Sequence, residues 1–87
     1  MSWMPGIDVS RWQRDVDWKR VASAGYRFAA IRATIGNYYT DPRFYLNWEG
    51  ARQAGLLIGA YHVVTPDRAA DSQMERFFDV LEGRPGN

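Results

Sequence analysis

Three short apolar runs in this 87-residue chain each finish on polar side chains that can do chemistry. Gly6-Ile7-Asp8-Val9-Ser10 finishes on Asp8 and Ser10, Tyr26–Thr34 on Arg32 and Thr34, and Leu56–Val64 carries Tyr61 and His62. Trp12, Tyr38 and Tyr39 lie in the loops that follow the first two runs. Aromatic rings with one anion make a reasonable sugar site, because rings stack on sugar faces and a carboxylate accepts from sugar donors. Each residue also has a plainer explanation. Asp8 can be a satisfied structural carboxylate, although burying one inside a strand is costly without a partner. Arg32 can pair with Asp8 across adjacent strands. His62 can be a hydrogen-bonded core residue, since a metal would need partners that the sequence does not offer. The loop aromatics can simply pack locally. No metal and no cofactor is expected.

These residues must be placed by a repeating unit, a short apolar strand followed by an amphipathic helix. Strands are predicted at about 6–10, 26–34 and 56–64, and helices at about 15–24, 42–54 and 66–82. The near-continuous apolar runs of the second and third strands suit a sheet covered on both sides, hence a parallel one. Asp41-Pro42 and Thr65-Pro66 read as cap-then-proline helix starts, and Gly25, Gly55 and Gly83-Arg84-Pro85-Gly86 as stops. Trp18 and Trp48 fall on helical apolar stripes and read as core. Strand–helix alternation with short loops predicts right-handed crossovers and an α/β fold. Two closures are open: a doubly wound sheet, or the first part of a β/α barrel that normally runs to about 250 residues. In either, ligands bind at the carboxyl ends of the strands, where Asp8, Arg32 and Tyr61 stand.

Composition narrows the classes. Residues 1–87 make one domain at most, and 46% hydrophobic with 15% aromatic content excludes a disordered tail. The absence of cysteine excludes thiol nucleophiles, thiolate metal sites and disulfide scaffolds. Eleven basic against ten acidic residues leave a charge of +1 with no run of like charges, so neither nucleic acid nor an acidic membrane is expected as a partner. No segment approaches the roughly 20 apolar residues of a membrane helix, and Met1–Pro5 lacks the features of a signal peptide. A soluble chain made in the cytoplasm is the expectation.

Gly6-Ile7-Asp8-Val9-Ser10-Arg11-Trp12-Gln13, Asp17-Trp18 with Val21, and Phe28-Ala29-Ala30-Ile31-Arg32-Ala33-Thr34 together resemble the N-terminal part of the glycoside hydrolase family 25 muramidases. Tyr39-Thr40-Asp41-Pro42, Ala51-Arg52-Gln53-Ala54-Gly55 and Gly59-Ala60-Tyr61-His62-Val63 extend the resemblance, which runs from about Gly6 to Gly86. It implies an irregular β/α barrel, here its first three βα units, and action on the glycan strand of peptidoglycan, as in bacteriophage endolysins. A phage-infected host with action at the cell wall is the setting it suggests. Asp8 matches a catalytic-cluster acid, and Tyr39 and Tyr61 match positions lining the glycan cleft; Trp12 and Arg32 are expected beside them. Two departures stand out. The family usually carries glutamate where Ala33-Thr34-Ile35-Gly36 has Ile35, and its Asp-x-Glu motif belongs to a fourth strand beyond the Gly83–Gly86 turn.

Glycoside hydrolysis ordinarily needs two carboxyl groups. The other acids, Asp41 among them, fall in helix starts or on helix surfaces, so the isolated chain is expected to be inactive. Its function then reads as a muramidase fragment or split subunit acting on bacterial cell-wall glycan. The alternative is a catalytically dead glycan-binding or regulatory protein, assembled with itself. The faces of Ile7, Val9, Phe28, Ala30, Ile31, Leu57, Ile58 and Ala60 are expected to lack an opposite wall. Leaving about 400 Å² of such surface wet forgoes about 10 kcal/mol, as much as a small domain's whole stability. A homodimer, or a second chain completing the barrel, is therefore expected.

Overall fold

The computed structural model describes residues 5–82; the predicted stop at Gly83–Gly86 lies outside them. β1 (Gly6–Val9), β2 (Phe28–Ile35), β3 (Tyr39–Thr40) and β4 (Leu57–Val63) form one sheet. The helices are α1 (Trp18–Ser23), α2 (Phe44–Gln53) and α3 (Ala70–Glu82), with a single 3-10 turn at Arg11–Gln13. β2 lies between β1 and β4 and pairs with both in parallel. The fold is thus the expected α/β class with three βα units. One strand was not foreseen: β3, two residues long, pairs antiparallel with Thr34 and Ile35 beyond the end of β1.

The helices are shorter than the sequence suggests. Asp17 caps α1 through its carboxylate on the Arg20 amide (3.2 Å), so Asp15 falls outside. α2 begins at Phe44 and α3 at Ala70, each a few residues after its proline. Asp41 is no cap of α2; it has a different task, described below.

All three helices pack on one face of the sheet. Val9, Ala29, Ile31 and Ala33 join Trp18, Phe44, Trp48, Ala51 and Val80 in one buried cluster, with Ile7, Ile58 and Ala60 packed against it. Phe44 and Ile31 are fully buried, and each contributes about 2–3 kcal/mol of transfer free energy. The indole of Trp18 lies where a Cβ on Gly50 would stand, so α1 approaches α2 only because that residue is glycine. The expectation of an unwalled sheet therefore needs correction. Ile7, Val9, Ile31, Ile58 and Ala60 face the helices, and only Phe28, Ala30 and Leu57 of that set lie on the helix-free face. Strand alternation separates the two faces but does not say which one the helices will cover.

Candidate functional site

The helix-free face carries three rows of residues set by strand register. Gly6, Phe28 and Leu57 align first; a Cβ on Gly6 would collide with the Phe28 ring, which lies across it. Asp8, Ala30 and Gly59 align next, and Arg32 with Tyr61 after them. Ala30 and Gly59 keep the floor beside Asp8 low. A Cβ on Gly59 would meet nothing within 4 Å. Asp8 is exposed, and its carboxylate makes no hydrogen bond or ion pair among the described residues. It is an unspent carboxylate.

Arg32 is held firmly, but not by Asp8. Its Nε donates to Asp41 Oδ2 at 2.9 Å, with the two side chains 10% and 0% exposed. That oxygen also accepts from the Arg11 amide (3.0 Å), while Asp41 Oδ1 accepts from the Arg43 amide (2.9 Å). The Asp41 amide donates to the carbonyl of Ala33 at 2.7 Å, which fastens the whole turn to β2. Asp8–Arg32 pairing is thus overturned, because Asp8 aligns with Ala30 while Arg32 lies two residues further along and meets a buried counterion. Sequence reasoning missed Asp41, since an Asp-Pro step before a helix looks the same whether the carboxylate caps amides or neutralises an arginine.

Tyr61 joins the two carboxylates electrostatically. Its phenol is pushed above the ordinary tyrosine range, first by burial, then by the negative charge of Asp8; Arg32 opposes this and Asp41 adds slightly to it. Asp8, Arg32 and Tyr61 are therefore neighbours, as the sequence suggested. Tyr39 stands beside them, its ring 5.7 Å from both the Arg11 and the Arg32 guanidinium carbons. The Tyr39 hydroxyl is buried with no hydrogen-bond partner among the described residues. Trp12 is 69% exposed and reaches the group only through Arg11, whose guanidinium lies 4.6 Å from its ring.

Thr34 and His62 lie on the other side. A bulge in β2 sets Ala33 and Thr34 against one residue of β4, so Thr34 turns to the helix face with His62. Gln73 on α3 donates to the carbonyls of Thr65 (2.8 Å) and Arg68 (3.1 Å), which aims its Oε1 at the Thr65 amide (3.1 Å) and at His62 Nε2 (2.8 Å). A carbonyl oxygen only accepts, so Nε2 carries a proton toward Gln73, and Nδ1 shares a hydrogen bond of 2.7 Å with the Thr34 hydroxyl. This is a closed structural network. Among the described residues no group of three His, Cys, Asp or Glu could hold a metal ion.

A helix-free sheet face with a carboxylate, a phenol and a guanidinium at the strands' carboxyl ends defines an α/β protein with a candidate ligand site. The chain belongs to glycosyl hydrolases family 25, whose model matches residues 7–86. It is 46% identical over 87 residues to the uncharacterised protein YegX of Escherichia coli O157:H7, covering 94% of this chain and 32% of that protein. It is 43% identical over 77 residues to lysozyme M1 of Streptomyces globisporus, covering 88% of this chain and 26% of that one. Among solved structures it is similar to the bacterial lysozyme from Streptomyces coelicolor, with a TM-score of 0.84 and 43% identity over 90% of this chain and 36% of that chain. The chain spans roughly a third of the length of the relatives it matches.

Proposed function

We propose that the chain carries the Asp8 side of a peptidoglycan muramidase site, on the opening arc of a β/α barrel. Further strands, from a second polypeptide or a longer one, are then needed to turn over glycan. The observation that carries this is the unspent Asp8 carboxylate beside Tyr61 on the helix-free face. Membership of the family and the lysozymes among its relatives support it. The barrel reading rests on strand order, because β1, β2 and β4 advance without reversal and right-handed crossovers then put every helix on one side.

In this reading Asp8 orients the substrate's N-acetyl group or stabilises the sugar cation, while Arg32, Tyr39, Tyr61 and Trp12 bind the glycan strand. Hydrolysis needs a second carboxyl group as proton donor. Asp41, the other acid near Tyr61, is already committed to Arg32 and two amides. The purified chain should therefore release no reducing ends from bacterial cell wall. Turnover by the 87-residue chain alone, lost in Asp8→Asn, would overturn the inactive reading.

Ile35 favours a second reading, a catalytically dead glycan-binding or regulatory protein assembled with itself. Simple shortening of a muramidase would leave the family's glutamate at that position. Light scattering separates the two: a homodimer supports it, and a monodisperse 10 kDa monomer argues against it.

A further inference from the structure

A groove of about 560 Å³ lies in the helix layer, where α3 passes the β2–β3 turn and the start of α2. That size suits a small molecule. Asn37 Nδ2 donates to Ser72 Oγ (2.9 Å), and Arg76 Nη1 donates to Thr40 Oγ1 (2.8 Å). The turn is thus tied to α3 at both its ends. Across the groove, the Tyr45 hydroxyl of α2 donates to the Val80 carbonyl of α3 at 3.3 Å. These bonds join segments far apart in sequence, so the walls stand in place before any ligand arrives.

Three charges line the groove, the Arg76 guanidinium and the Glu75 and Asp79 carboxylates. None of them forms an ion pair among the described residues. Arg76 and Asp79 are one turn apart on α3, a spacing at which such pairs commonly form. The bond to Thr40 draws the guanidinium toward β3 instead. Arg76 is half-buried with a neutral partner, and its remaining donors keep the fork that fits a planar carboxylate. Glu75 and Asp79 are exposed, so accepting a cation costs them little desolvation. A simple anion meets repulsion from both acids, and a simple cation leaves Arg76 unanswered. A neutral sugar answers none of the three. A molecule carrying both signs answers them together, and the Tyr45 ring, 45% exposed, offers an apolar wall for the carbons between.

We propose that this groove binds a short peptide with free termini, its carboxylate on Arg76 and its ammonium on Glu75 and Asp79. The site is separate from Asp8 and does not depend on the muramidase reading. The test is NMR titration of the 87-residue chain with trialanine, with N-acetyl-trialanine, which keeps only the carboxylate, and with trialanine amide, which keeps only the ammonium. The Arg76 Nε–H signal and the amides of Asn37 and Thr40 report binding. Trialanine should bind about tenfold tighter than either blocked peptide, the scale of one charge-assisted contact. Arg76→Gln should erase the preference over the amide, and Glu75→Gln with Asp79→Asn the preference over the N-acetyl form. Should Arg76→Gln disturb the turn, the exposed acidic pair still decides, since an unchanged preference in that double variant overturns the proposal. Equal binding of all three peptides, equally tight binding of diacetylchitobiose in this groove, or no shift with trialanine overturns it as well. Shifts at Tyr61 without shifts at Arg76 would put the peptide on the helix-free face and sink this site while leaving the Asp8 reading intact.

Discussion

Two polar clusters stand near the carboxyl ends of the same strands, on opposite faces of one sheet. On the helix side, His62, Thr34 and Gln73 close every bond they can among themselves and the backbone of Thr65 and Arg68. On the open side, the Asp8 carboxylate closes none among the described residues. The residue types alone do not tell these clusters apart, since histidine, threonine and glutamine are as capable of chemistry as aspartate and tyrosine. Satisfaction does. Buried polar groups that bond to each other hold a fold together, whereas an exposed carboxylate with its hydrogen-bonding capacity unspent is available to a ligand.

Arg32–Asp41 supports the open cluster from below, so its removal should give the largest effect. Asp41→Ala leaves a buried guanidinium without its counterion and frees the Arg11 and Arg43 amides. A loss of about 4 kcal/mol in urea melts is expected, enough to unfold much of a small domain. If the variant is as stable as the parent, Asp41 is not a structural counterion. Gln73→Ala should come next, at about 3 kcal/mol, because it strands the Thr65 and Arg68 carbonyls, the Thr65 amide and His62 Nε2 at a site 2% exposed. Asp8→Asn should sit at the far end, within about 0.5 kcal/mol of the parent, since an exposed carboxylate with no partner has little to lose. A large destabilisation in Asp8→Asn would place Asp8 among the structural groups and remove the contrast.

Much of this was legible before any coordinates. The strand–helix alternation, the core tryptophans Trp18 and Trp48, the hydrogen-bonded His62 and the gathering of Asp8, Arg32 and Tyr61 all follow from pattern and position. Three things were not. β3 is two residues long, too short to show any period. The bulge at Ala33-Thr34 leaves no mark in residue type, yet it turns Thr34 away from the site that Arg32 faces. Asp41 looked like a helix cap because both tasks, capping and charge neutralisation, ask for the same carboxylate just before the same proline. Each gap is a tertiary decision that neighbouring residues do not encode.

The smallest expected effect is also the most selective. Tyr61 should ionise above the usual tyrosine value, which Cζ chemical shifts of labelled tyrosine can follow through an alkaline titration. Folding favours its protonated form, so the stability it contributes is fully present below about pH 10 and is lost as pH rises through the higher folded value. Burial is the largest cause and the Asp8 charge the next. Asp8→Asn should therefore lower the Tyr61 value yet leave it above that of an exposed tyrosine, because burial persists when the charge is gone. Loss of the whole elevation would make Asp8 the main cause and Tyr61 more solvated than its position suggests. No change at all would mean that Asp8 points away from Tyr61, and the pairing at the centre of the proposed site would fail with it.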